Sequence, residues 1–190
     1  MIHLNIGSNL NSKHGSRYDN ISIAISLLID SKYGTKFDNI LIALNLLVES
    51  RVKIKKVSNF YETPSYPNRN FPKFINIGLT IDFKNEYLDL FKQTKLIKKK
   101  LGRIRTKKND PRIIDIDIID FNGEIKVTND LILPHPKCHL RNFVLFPIFQ
   151  IDPNWSHPII KKKAQFLINS LSQKSRIEIT RLQKNVNINQ

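Results

Sequence analysis

The chain opens on an alternation. Ile2, Leu4 and Ile6 are apolar and His3 and Asn5 between them are polar, the period-two pattern of a strand. Gly7-Ser8-Asn9 closes it with turn chemistry. An internal repeat follows. Residues 12–21 (SKHGSRYDNI) return nineteen residues later as 31–40 (SKYGTKFDNI), and the match runs on through Ala24/Ala43 and Leu27-Leu28/Leu46-Leu47. Each copy reads as a polar loop and a short helix. In the first copy Ile21, Ala24, Ile25 and Leu28 share one helical face, and in the second Ile40, Ala43, Leu44 and Leu47 do. Two copies are too few for a solenoid, so the repeat is one extra loop-helix inside a domain.

Val52 to Tyr61 predicts a second strand with a basic face, and a Pro- and Asn-rich loop follows to Pro72. Phe74 to Phe83 predicts a third strand. Tyr87 to Leu101 predicts an amphipathic helix that stops at Gly102. After a basic loop to Asp110, Ile113 to Phe121 predicts a fourth strand, which Asn122-Gly123 turns back through Ile125-Lys126-Val127 as a hairpin. Leu131 to His139 is a Pro/His loop, and Phe143 to Gln150 is apolar. This order predicts an α+β fold: a ferredoxin-like βαββαβ sandwich with a mixed or antiparallel sheet, plus the extra loop-helix within 12–49. One domain spans 1–179, and the polar stretch 180–190 reads as a frayed tail.

Composition narrows the class. The 190 residues, 41% hydrophobic and 25% charged, suit one globular domain and exclude wholesale disorder. No apolar run reaches ~18 residues, and the N-terminus lacks the pattern of a signal peptide. A single cysteine, Cys138, excludes an internal disulfide and fits a cytoplasmic location. The net charge of +15 favours an anionic partner, though solvated lysines of a Lys- and Asn-rich chain explain it equally well.

The segment Pro111-Arg112-Ile113-Ile114-Asp115-Ile116-Asp117 carries the sharpest chemistry. Residues i and i+2 of a strand share a face, so Asp115 and Asp117 point one way while Ile114, Ile116 and Ile118 point the other. Two adjacent carboxylates repel unless a cation sits between them, and hard oxygen donors suit Mg²⁺. A solvent-facing edge strand is the plain alternative. Arg103, Arg105 and Arg112 stand just upstream, and arginine clamps phosphates bidentately. A basic loop for nucleic acid or solubility is the alternative there. His135, Cys138 and His139 raise the question of zinc, but structural zinc takes four ligands, usually in two pairs, and no second pair follows. His135 and Arg141 read better as phosphate contacts and Phe143 as an aromatic wall. Tyr61, Thr63-Pro64, Tyr66, Phe74 and Asn76 suit a flat heterocycle, or equally a core. No P-loop or G-x-G-x-x-G motif is present.

Taken in order, Ile6-Gly7-Ser8-Asn9-Leu10, Phe60-Tyr61-Glu62-Thr63-Pro64, Phe74-Ile75-Asn76, Leu101-Gly102-Arg103-Ile104-Arg105, Pro111-Arg112-x-x-Asp115-x-Asp117 and Pro134-His135 with Arg141-x-Phe143 resemble the 6-hydroxymethyl-7,8-dihydropterin pyrophosphokinases of folate biosynthesis. The resemblance implies pyrophosphate transfer from ATP to the pterin with release of AMP. It implies that Asp115 and Asp117 hold two Mg²⁺ ions, with Asp117 also positioning or deprotonating the attacking hydroxyl. It gives Arg105, Arg112, His135 and Arg141 to ATP, Arg103 and Arg112 to catalysis, and Thr63, Pro64, Tyr66, Phe74, Asn76 and Phe143 to the pterin. Partners are then the two small-molecule substrates, with neither nucleic acid nor membrane, in a monomer or homodimer. Three departures stand out: a basic loop between Arg105 and Arg112 one residue short, with Asn109-Asp110 where many members carry Trp-Gly; Lys98 where Glu is common; and the second loop-helix. The rival readings are a basic nucleic-acid-binding module and an inactive relative of the same family.

Overall fold

The computed structural model describes residues 1–10, 35–102 and 111–183. The first repeat copy, the start of the second, Arg103 and Arg105 lie outside them. The elements run β1 (Ile2–Ser8), α1 (Thr35–Glu49), β2 (Lys53–Val57), β3 (Tyr61–Thr63), β4 (Phe74–Asp82), α2 (Tyr87–Lys100), β5 (Asp115–Phe121), β6 (Lys126–Val127), β7 (Ile132–Leu133), α3 (Asn142–Ile151), α4 (Ala164–Ser170), α5 (Gln173–Ile177) and β8 (Thr180–Arg181).

The main sheet has the order β5-β1-β4-β3-β8, with β2 also on β4, and all its pairings are antiparallel. Counting β2 and β3 as one interrupted strand, this is the ferredoxin-like order. The single strand expected over Val52–Tyr61 breaks because Ser58 takes over the ladder: its backbone N–H donates to the Gly78 carbonyl (3.0 Å), and its hydroxyl accepts from the Gly78 N–H (2.9 Å).

β1 lies between β4 and β5 and is buried along its whole length. One face of the sheet carries Leu4, Ile6, Ile77, Leu79, Ile116 and Ile118 against α1 and α2, forming the larger core. The other carries α3 and α4 over a second core around Ile119, Val144, Leu145 and Trp155. Ile119 reaches that second face by the same alternation as Asp117, and a bulge there brings Asp120 to it as well: the register moves from Leu4↔Ile118 to His3↔Asp120, which leaves Ile119 as the extra residue. Behind it, Asp120 accepts from the Trp155 indole N–H (2.7 Å), and His3 Nε2 pairs with Asp152 (3.0 Å). Burial holds the His3 imidazole below its ordinary pKa against the pull of Asp120 and Asp152.

The expected hairpin on β5 also fails. Asn122-Gly123 does make a turn with positive φ, but the returning segment does not pair with β5. Lys126–Val127 instead pairs with Ile132–Leu133 in a separate two-stranded sheet, so among the described residues β5 is an edge strand. At the C-terminal end, Thr180 and Arg181 pair with Glu62 and Tyr61, and residues 184–190 lie outside the described residues. No helix among the described residues is long and apolar enough to cross a membrane.

α3 docks at Gly78. A Cβ built there would lie 2.7 Å from Pro147 Cβ and 3.3 Å from the Pro147 backbone. Gly78→Ala should therefore destabilise the fold by about 2 kcal/mol through overpacking, read as a lower midpoint in urea denaturation.

Candidate functional site

The site is built on one row of residues across the sheet. Gly7 of β1 pairs with Asn76 of β4 on one side and with Asp115 of β5 on the other. Two strand spacings separate the outer members, about 10 Å between Asn76 and Asp115 backbones. Gly7 has no side chain, so nothing from the middle strand fills the space between them. A Cβ at Gly7 would meet Asn76 Oδ1 at 2.6 Å.

On the β5 side, Asp115 and Asp117 share a face, as the i, i+2 spacing requires, and Ile116 and Ile118 point into the larger core. Arg112 Nη1 donates to Asp115 Oδ2 at 2.7 Å. Lys98 Nζ, from α2, lies 3.6 Å from Asp115 Oδ1. Arg141 Nη1 lies 3.5 Å from Asp117 Oδ2. His135 Nε2 lies 3.9 Å from the same oxygen and 3.3 Å from Arg141 Nη1. Burial raises the Asp117 pKa first and the neighbouring Asp115 raises it further, while His135, Lys98 and Arg141 pull it down without prevailing. His135 is pushed the other way, its imidazole held below the ordinary range by burial against the attraction of Asp117. Two crowded carboxylates ringed by donors fit a hard divalent cation: the donor set is oxygen, and the repulsion is relieved when a cation binds.

On the β4 side, buried Asn76 donates from Nδ2 to the buried Thr63 hydroxyl (3.2 Å). Pro64, Phe74 and Phe143 are half-buried. Arg112 lies over the Phe74 ring, 5.9 Å to the centroid, and Arg141 over Phe143, 5.4 Å. Each arginine thus bridges a carboxylate and an aromatic wall, which ties the two halves of the site together. Tyr66 stands apart from this cluster, 83% exposed.

Asn9 is a residue that site reasoning from the sequence passed over. It is 1% exposed and closes β1 against two loops. Its Nδ2 donates to Ser65 Oγ (3.2 Å) and to the Pro72 carbonyl (3.1 Å), and its Oδ1 accepts from the Arg112 N–H (2.8 Å). The signal was its place at the end of a buried strand, where a small amide serves turns.

His135 does not group with Cys138 and His139. His135 turns to Asp117 and Arg141, and His157, from a distant segment, joins Cys138 and His139 with ligand-type atoms within 4.8 Å of one another. His157 Nδ1 accepts the N–H groups of Ile159 and Ile160 (3.2 Å each), so in the neutral ring Nε2 carries the proton. Burial pushes the Cys138 thiol up to about 11.

Residues 26–153 match the family described as 7,8-dihydro-6-hydroxymethylpterin-pyrophosphokinase (HPPK). The chain belongs to this family. It is 34% identical over 111 residues to the 2-amino-4-hydroxy-6-hydroxymethyldihydropteridine pyrophosphokinase of Aquifex aeolicus, covering 58% of this chain and 69% of that protein. It is 40% identical over 107 residues to the folic acid synthesis protein FOL1 of Dictyostelium discoideum, covering 56% of this chain but only 16% of that much longer protein. A solved HPPK-DHPS structure in complex with substrates shares the fold, with a TM-score of 0.56 at 17% identity over 89% of this chain and 43% of that one.

The raised Asp117 pKa gives a test with a fixed sign. Folding disfavours the ionised carboxylate, so the stability tied to this group is complete below the unfolded value of 3.8 and is lost as pH rises through the higher folded value. Asp117→Asn should raise the thermal midpoint of the ligand-free protein by a few degrees at pH 7–8, and the gain should vanish near pH 3. Calorimetry across that range checks both.

Proposed function

We propose that this HPPK-family chain transfers the β,γ-pyrophosphoryl group of ATP to the hydroxymethyl group of 6-hydroxymethyl-7,8-dihydropterin and releases AMP. One observation carries the reading: a carboxylate pair and an amide-aromatic pocket lie either side of side-chain-free Gly7, in one row across the sheet. That spacing suits a pterin on the β4 side whose hydroxymethyl arm points at phosphates held on the β5 side.

In this reading the Asn76 amide and Thr63 hydroxyl read the polar edge of the pterin, and Phe74, Phe143 and Pro64 enclose its faces. Tyr66, which stands apart and exposed, would have to swing in to add a contact at the pocket's mouth. Asp115 and Asp117 would hold Mg²⁺, two ions in all, which when bound supply neutralisation of the triphosphate charge. Arg112, Arg141 and His135 contribute donors to the phosphates, and Arg112 Nε is buried with no hydrogen-bond partner among the described residues. Arg103 and Arg105, beyond the described residues, would complete that set. The hydroxymethyl oxygen forms a bond to Pβ as the bond from Pβ to the α,β-bridging oxygen breaks, and AMP carries that oxygen and its electron pair away. The Asp117 carboxylate, on the face turned toward the incoming hydroxymethyl arm, is the group placed to position the hydroxyl or take its proton. Positioning and charge neutralisation supply most of the rate. The chain works on these two small substrates in the cytoplasm, without nucleic acid or membrane.

The test is AMP release with ATP, Mg²⁺ and the pterin. Pterin-dependent AMP should appear, and Asp115→Ala or Asp117→Ala should lower kcat by about a thousandfold or more with folding intact. ATP hydrolysis without pterin, or no AMP at all from folded protein, would overturn the proposal. In the same assay Gly7→Ala, by displacing the Asn76 amide, should raise KM for the pterin about tenfold and leave KM for ATP unchanged.

A further inference from the structure

Lys98 occupies a place that the alternation of β5 does not predict. α2 packs on the sheet face that holds Ile116 and Ile118, whereas Asp115 points from the opposite face. Lys98 spans that difference by passing round the outer edge of β5, on which no strand is paired among the described residues. Its Nζ donates to the Ile116 carbonyl at 3.1 Å and lies 3.6 Å from Asp115 Oδ1. The side chain is only 16% exposed.

This cation differs from its neighbours in how it is held. Arg112 and Arg141 meet the carboxylates through guanidinium groups that also lie over aromatic rings, with side-chain partners only among the described residues. The Ile116 carbonyl belongs to the strand backbone between the two aspartates and cannot move away from Lys98. A fixed backbone acceptor favours keeping the ammonium in place when a ligand enters.

We infer that Lys98 is a resident positive charge that weakens divalent-cation binding at Asp115 and Asp117 until a triphosphate is present, so that metal loading is conditional on the nucleotide. The inference rests on the metal role proposed for that carboxylate pair. Without nucleotide, an incoming dication meets two carboxylates already partly neutralised and an ammonium beside them, and the repulsion is felt at low dielectric. With nucleotide, the triphosphate supplies more negative charge than the ammonium offsets, and Lys98 becomes attractive to the phosphates. Lys98 is thus a positioning residue that orders the arrival of ligands.

Mn²⁺ titrations followed by electron paramagnetic resonance, with and without α,β-methylene-ATP, separate the possibilities. Lys98→Gln removes the charge and keeps a donor for the Ile116 carbonyl, and Lys98→Met removes both. Without nucleotide, both variants should bind Mn²⁺ about tenfold more tightly than the parent chain. With the analogue that advantage should disappear, and both should bind the analogue several-fold more weakly. A purely structural role for Lys98 cannot produce effects of opposite sign. Asp115→Asn and Asp117→Asn serve as the separate control. If Mn²⁺ binding is lost in them but indifferent to Lys98→Gln, the metal role stands and the inference falls. If no chain binds Mn²⁺ even with the analogue, both fall.

Discussion

Asp115 and Asp117 repel each other, and much of the surrounding structure answers that repulsion. The two carboxylates are held side by side because β5 pairs with β1 in a register that leaves no freedom for either to turn to the opposite face. Ile116 and Ile118 lock that register by filling the larger core. Repulsion and burial together push the Asp117 pKa up, even though Arg112, Lys98, Arg141 and His135 all gather round the pair. The bulge at Ile119 ends the arrangement: it turns the next residues toward the second core, where Asp120 finds Trp155.

The net charge of +15 takes on local meaning here. Among the described residues the two carboxylates face three permanent cations, so the pair sits in a positive surround. Such a surround serves a polyanion better than a free metal ion, which explains how an acidic pair and a basic chain belong to one site.

Much of this was legible in the sequence because it rests on short periods. The alternation of β1, β4 and β5 placed Asp115 and Asp117 on one face, and helical spacing with Gly102 as a positive-φ stop bounded α2. What stayed hidden depends on contacts remote in the chain. The break between β2 and β3 arises from one hydroxyl, Ser58, bonding to Gly78 twenty residues away. The segment Ile125–Val127 alternates well enough for a strand, but local pattern does not choose a partner, and Ile132–Leu133 took that role. The meeting of His157 with Cys138 and His139 joins two segments that no spacing connects. Lys98 reaches Asp115 only because β5 is an edge, a fact of topology rather than of periodicity.

Asn9 has every polar atom of its amide engaged, with the Ser65–Pro72 loop on one side and Arg112 on the other. These segments border the two halves of the site, and β1 is the rigid strand from which the amide projects. A single side chain therefore acts as a mechanical linkage between loops that share no backbone pairing. Both loops are held at one point on a strand that is itself paired along both edges, so their relative placement does not depend on contacts between them. The alignment of the two halves is in this sense a property of how β1 ends.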